Sequence, residues 1–224
     1  MVNTLSFGKR NKNIVREIKK TFLAKQDEIY LKLEDFKRVW HKEDGEIFTE
    51  LVFCLLTPQS KARTCWDVVV TLKKKGLIWN GDRNNIANEL VGVRFKNKKA
   101  SYIVKARKLF SKNGKITIKS KLKLFDDAYK LRDWLVHNVK GIGYKEASHF
   151  LRNIGLGENM AILDRHILKN LNLLGVTDDV PSSLSKKRYF EIENRMMKFS
   201  SKINIPMSYL DLVLWYKETG ETFK

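Results

Sequence analysis

The chain has 224 residues, room for one domain of ordinary size or two small lobes. Apolar residues make up 43% of it, enough for a packed core and against wholesale disorder. Lys and Arg number 44 against 25 Asp and Glu, a net charge of +19 whose natural partner is a polyanion, nucleic acid above all. The longest apolar run, Leu51–Leu56, falls far short of the ~20 residues that span a bilayer, and Met1–Arg10 lacks a signal-peptide apolar segment. Cys54 and Cys65 are the only cysteines and show no CxxC spacing. A disulfide framework, a structural zinc site and a four-cysteine iron–sulfur cluster are therefore disfavoured. The expectation is a reducing, cytoplasmic setting with no membrane partner.

In chain order the periodicity is helical. Ile14–Trp40 mixes charge and apolar residues without Pro or Gly and predicts one or two helices, broken at Gly45. Ile47–Leu56 is apolar enough for a buried helix. Thr57-Pro-Gln59 predicts a turn, because Pro58 disfavours helix at its predecessor. Ser60 then suits the cap of a helix running to Gly76, and Asp82 the cap of a short one ending near Leu90. After the loop Val91–Asn97, a basic helix is expected from about Lys98 to Phe110. Ile116-Thr-Ile118 is the one strand-like stretch, too short to found a sheet. A helix over about Phe125–Val139 carries Ala128, Leu131, Trp134 and Leu135 on one stripe. Two helices fill the region 144–174, and Thr177–Ser183 reads as a surface loop. Two final helices follow, the second opened by Pro206. The fold class is all-α.

The most informative segment is Val139-Lys-Gly-Ile-Gly-Tyr-Lys145, set between two amphipathic helices. Gly141 and Gly143 permit a sharp turn and close approach to a ligand. The helix that follows offers unpaired N–H groups and the positive end of a dipole, a setting for phosphate. Such a hairpin grips a DNA backbone without reading sequence, with Lys140, Gly141 and Gly143 as its contacts. Ile142 is expected to tuck between the helices. Ala147, Phe150, Leu151 and Ile154 make the buried stripe of the second helix, and Lys145, Ser148, His149 and Arg152 share its other side. Lys145 thus emerges beside the turn; a merely solvated lysine is the alternative.

Downstream, Ala161-Ile-Leu-Asp164-Arg-His places a carboxylate at the start of another helix, where capping alone could explain it. A helix and a loop separate it from Lys145, so both can return to one cleft. Gly-Ile-Gly-Tyr-Lys145 followed by Leu-Asp164-Arg-His resembles the helix–hairpin–helix DNA glycosylase superfamily, as does Leu51–Gln59; the likeness covers roughly residues 46–224. It implies one domain over residues 1–224, of two helical lobes with a cleft between them and residues 125–155 as the DNA-binding hairpin. Lysine at the position of Lys145 marks the members of the superfamily that excise a base and then cut the strand, with Asp164 as the supporting carboxylate.

The tail Pro206–Lys224 is similar to the archaeal-type, or type-2, 8-oxoguanine DNA glycosylase/lyase family. The resemblance implies that Trp215 stacks on the extruded base and that the terminal carboxylate on Lys224 helps recognise it. An indole stacks on purines and a carboxylate accepts N–H donors, so the chemistry suits both. Core packing beside Leu210, Leu212, Val213 and Leu214 is the alternative for Trp215. Asp211, His149 and Phe95 are further pocket candidates, although a solvated histidine is the simpler reading of His149. Gln59 is a candidate to fill the gap left by the extruded nucleotide. The implied partner is double-stranded DNA containing 8-oxoguanine, bound by a monomer. No cofactor or metal is implied beyond a monovalent cation at the hairpin carbonyls. Two rivals stand beside this: a glycosylase for another damaged base, and a non-enzymatic hairpin module that binds DNA without forming an adduct.

Overall fold

The computed structural model describes residues 9–222, with side chains from residue 12. Among the described residues the chain is all-α apart from one short ladder. Its helices are α1 (Lys9–His41), α2 (Asp44–Leu56), α3 (Ala62–Lys74), α4 (Leu77–Asn80), α5 (Arg83–Glu89) and α6 (Lys96–Phe110). Then come α7 (Ile118–Leu122), α8 (Ala128–Asn138), α9 (Tyr144–Asn153), α10 (Arg165–Leu173), α11 (Lys186–Ile203) and α12 (Met207–Thr219). Strands β1 (Ser111–Lys112) and β2 (Lys115–Ile116) pair antiparallel, Ser111 with Ile116. The chain divides into two compact units, one running Phe36–Gly157 and the other taking the chain up to Asp35 and from Glu158 onward.

In the Phe36–Gly157 unit α2 is the central element. Every residue from Ile47 to Leu56 is buried, including Thr49 and Glu50. An apolar side chain taken fully out of water contributes ~1.5–3 kcal/mol, so this one helix supplies much of the drive to pack its neighbours. Its polar exceptions are partnered. Asn153 Nδ2 on α9 donates to Glu50 Oε2 at 3.1 Å, and Asp44 at the start of α2 accepts the Lys119 N–H at 2.7 Å. In the other unit, α10 packs on α12 and α12 on α11, with Leu171, Ile192, Met196, Phe199, Leu210 and Leu214 in the core.

Several boundaries differ from the sequence expectation. The break after α1 falls at Lys42-Glu43, and Gly45 lies inside α2. Thr57 stays in the right-handed helical region despite the following proline, and it is Gln59, at φ 55, that reverses the chain. Ser60 does not cap α3, whose N-cap is Lys61; its hydroxyl is instead drawn to the Arg94 N–H at 3.0 Å. Ile118 opens α7 rather than extending a strand, because Ile116 already pairs with Ser111. α8 begins at Ala128 because Asp127 caps it, accepting from Lys130 N at 2.8 Å. Asp82 caps α5 as expected, accepting from Asn85 N at 2.8 Å.

Cys54 and Cys65 are both free and fully buried, and burial pushes the Cys65 thiol up to about 11. A thiol so placed is neither accessible nor ionised near neutrality. Neither cysteine should react with an aromatic disulfide reagent at pH 7.5 in the native protein, and both should react once it is unfolded in guanidinium. A native-state titre at either position would contradict this packing.

Candidate active site

Two glycines make the turn between α8 and α9. Gly141 stands at φ 94, a conformation that L side chains rarely adopt. A Cβ there would lie 2.2 Å from Cδ2 of Tyr102 on α6, so the ring occupies the space a side chain would need. Ile142 is buried behind the turn, as its apolar character predicts, and Lys140 is exposed on it. Gly143 is the N-cap of α9 in extended conformation. From inside, Arg132 on α8 is wholly buried and donates to Ser148 Oγ on α9 at 3.0 Å. Its guanidinium also lies over the rings of Tyr129 and Tyr144, at 5.1 and 5.8 Å. These contacts fix the angle of the hairpin.

Lys145 sits in the first turn of α9 with its side chain 23% exposed. Its Nζ pairs with Glu146 Oε1 at 2.9 Å, while Glu146 Oε2 accepts the Gly143 N–H at 3.2 Å. One carboxylate thus holds both the amine and the turn. Sequence reasoning passed over Glu146, although an acidic residue at the third helical position is a recognisable start signal. The rest of the polar face of α9 is not solvated. Ser148, His149 and Arg152 are buried, His149 edge-on to Phe53 at 5.5 Å and Arg152 over Phe36 at 5.3 Å. The expectation of a solvated histidine fails here because α9 is covered on both faces.

The same unit holds two exposed residues on tight turns. Gln59 follows α2 at φ 55, and Phe95, 52% exposed, precedes α6 at φ 58. Arg94 lies over the Phe95 ring at 5.4 Å. Between the two turns Lys99 is buried, with Nζ donating to Leu56 O, Pro58 O and Ser60 Oγ. Burial pushes its pKa down from the ordinary lysine value. Nothing in the sequence separates Lys99 from Lys96 and Lys98 beside it.

In the other unit Asp164 is the N-cap of α10, Oδ1 accepting from His166 N and Ile167 N, each at 2.8 Å. The segment before it is clamped at one residue, Ala161, from α11. Glu193 accepts the Ala161 N–H at 2.9 Å, and the Tyr189 hydroxyl donates to Ala161 O at 2.5 Å. His166 then brings Asp164 and Trp215 together: its amide binds the carboxylate, and its ring meets the half-buried indole edge-on at 5.4 Å. Glu218 completes the junction of α10 and α12, accepting from Lys169 and Asn170 at 3.0 Å each and facing His166 Nδ1 at 3.6 Å. Burial works against ionisation of Glu218, but these donors hold its carboxyl below the usual range. Asp211 is buried on α12, and Lys224 lies outside the described residues. His166 and Glu218 were not singled out from the sequence, although His166 stands two residues after the aspartate.

Residues 29–205 match the family model described as 8-oxoguanine DNA glycosylase. The chain belongs to this family. It is 46% identical over 209 residues to an 8-oxoguanine DNA glycosylase/AP lyase of Fusobacterium nucleatum, covering 93% of this chain and 96% of that one. The enzyme of the same name from Methanocaldococcus jannaschii is 39% identical over 206 residues, covering 89% and 93%. Among solved structures, the M. jannaschii 8-oxoguanine DNA glycosylase superposes with a TM-score of 0.85 at 37% identity, over 97% of this chain and all of that one. The M. jannaschii enzyme in complex with a 15mer DNA containing 8-oxoguanine gives 0.85 at 35% identity, over 94% and 99%. The family resemblance drawn from the hairpin, the aspartate and the tail is therefore correct. Among the described residues of this family member no helix is long and apolar enough to cross a membrane, and no group of three His, Cys, Asp or Glu could hold a metal ion.

Gly141→Ala should cost about 1–3 kcal/mol of stability, from the left-handed backbone and the Tyr102 overlap together. It should also weaken duplex binding about tenfold through the displaced turn. Adding Tyr102→Ala should recover part of the stability loss, which thermal unfolding of the two variants measures.

Proposed function

We propose that this protein excises 8-oxoguanine from double-stranded DNA and then cuts the strand, with Lys145 as nucleophile and Asp164 as the supporting carboxylate. The observation that carries the assignment is the position of Lys145: the first turn of α9, directly after the glycine turn, in a member of this family. A hairpin that grips phosphate brings the sugar of a neighbouring nucleotide to the same end of the helix.

Extrusion of the damaged nucleotide costs a few kcal/mol, less where the pair is already weakened, and contacts to the backbone offset it. Lys140 and the turn at Gly141 and Gly143 bind the backbone, Gln59 enters the gap, and Trp215 and Phe95 are the aromatic faces for the base. Asp211, His149 and the terminal carboxylate on Lys224 complete the set drawn from the sequence. His149 acts through packing under α9, given its burial against Phe53.

In the first step the uncharged Nζ of Lys145 attacks C1′ as the bond from C1′ to N9 breaks. The base leaves with that electron pair and gains a proton, and the Lys145 amine gives one up, with Glu146 nearest to receive it. Asp164 stabilises the positive charge that develops on the sugar. The sugar ring then opens to a protonated Schiff base on Lys145. Loss of a C2′ proton expels the 3′ phosphate by β-elimination, and water releases the lysine. The amine supplies the nucleophile, so the reaction uses no cofactor. The turn offers backbone oxygens, hard donors that suit a monovalent cation, which would add only charge between protein and phosphate. Action as a monomer, on DNA in the cytoplasm, is part of the same reading.

Borohydride should trap a covalent complex with an 8-oxoguanine duplex, and Lys145→Gln should abolish it. Asp164→Asn keeps a good cap, so stability should change by less than about 0.5 kcal/mol while excision falls about 10²–10³-fold. Full excision by Asp164→Asn would reduce Asp164 to a capping residue, and trapping by Lys145→Gln would remove the nucleophile.

A further inference from the structure

Among the buried cations that the proposed chemistry leaves unused is Lys99. Lys99 is 3% exposed, and its Nζ donates to Leu56 O and Pro58 O, each at 2.7 Å, and to Ser60 Oγ at 3.1 Å. Three acceptors use all three protons of an ammonium. Burying a cation costs several kcal/mol before such bonds are made, and an apolar residue of similar length could fill the same volume without that cost. What the cation organises is therefore informative.

Its acceptors flank two of the three non-glycine residues of this unit that stand at positive φ, Gln59 and Phe95; the third, Asn113, lies in the β1–β2 turn. Leu56 O and Pro58 O bracket the turn on which Gln59 stands at φ 55, exposed. Ser60 Oγ accepts a second bond, from the Arg94 N–H at 3.0 Å, immediately before Phe95 at φ 58. A left-handed conformation is unfavourable for a residue with a side chain and persists where its surroundings over-determine it. Here two such residues, both presenting their side chains outward, share one buried amine and one hydroxyl.

We propose that Lys99 is a positioning residue: by binding Leu56 O, Pro58 O and Ser60 Oγ it joins the Gln59 turn and the Phe95 loop into one rigid element that acts on the extruded nucleotide and the gap it leaves. The roles of Gln59 and Phe95 rest on the function proposed above; the mechanical joint does not. Lys99 touches neither base nor sugar. It acts by denying its two neighbours the freedom to relax out of strained conformations that only a correctly placed pair can use.

Lys99→Met and the milder Ser60→Ala test this, the second serving where the first does not fold. Hydrogen exchange reads the joint directly. In Ser60→Ala the Arg94 amide should lose protection, and in Lys99→Met the segments around Gln59 and Phe95 should both exchange faster; unchanged exchange overturns the joint. Single-turnover kinetics read its use. Excision of 8-oxoguanine should fall about tenfold in either variant, as expected for a small misplacement at a site of reaction. Borohydride trapping on a pre-formed abasic duplex, with no base to extrude or stack, should fall no more than about twofold. In a Gln59→Ala/Phe95→Ala background Lys99→Met should add nothing. Equal losses on the two substrates, or an additive loss in that background, would make Lys99 a stability residue only. A wild-type chain inactive on 8-oxoguanine would overturn the lesion assignment, while the exchange result would still decide the joint.

Discussion

The hairpin that carries Lys145 depends on a side chain that is not there. The ring of Tyr102 lies where a Cβ on Gly141 would have to be, so the turn between α8 and α9 can close down on α6 only with glycine at that position. Closure sets the direction of α9, and with it the place of Lys145. The buried Arg132, bonded to Ser148 and lying over two tyrosine rings, holds the same angle from the inside. A turn fixed from both sides is what a phosphate grip requires, because binding then spends little free energy on ordering the protein.

Charge is distributed unevenly for a chain of net charge +19. Most of the excess is at the surface, where it favours encounter with a polyanion. Four cations are different: Lys99, Arg132 and Arg152 are buried and Lys145 largely so, each with a specific oxygen or ring partner. Carboxylates play the matching part. Glu146 binds the amine and the turn together, Glu193 holds the peptide before Asp164, and Glu218 locks α10 to α12.

What could be read from the sequence follows from what leaves a periodic or local trace. The helices of the core did, since α2 is apolar throughout and the buried stripe of α9 recurs at helical spacing. So did caps such as Asp82 and Asp164, whose bonds reach only two or three residues along the chain. Pairings across long loops left no trace. Ser60 looked like a cap because its true partner, the Arg94 amide, lies 34 positions away. Lys99 is one lysine in a basic helix until the carbonyls of another segment are placed around it, and Glu218 one glutamate near the end of the tail. His149 was read as solvated because helical spacing tells which residues share a face, not how many faces are covered.

Lys145 stands at the centre of this account, and peptide mapping tests it most directly. The wild-type protein would be trapped on an 8-oxoguanine duplex with borohydride, digested with protease and nuclease, and the adduct located by tandem mass spectrometry. A reduced sugar remnant on the peptide that contains Lys145, and on no other amine, is the expected result. The same remnant on another lysine or on the terminal amine would contradict the placement of the nucleophile at the start of α9.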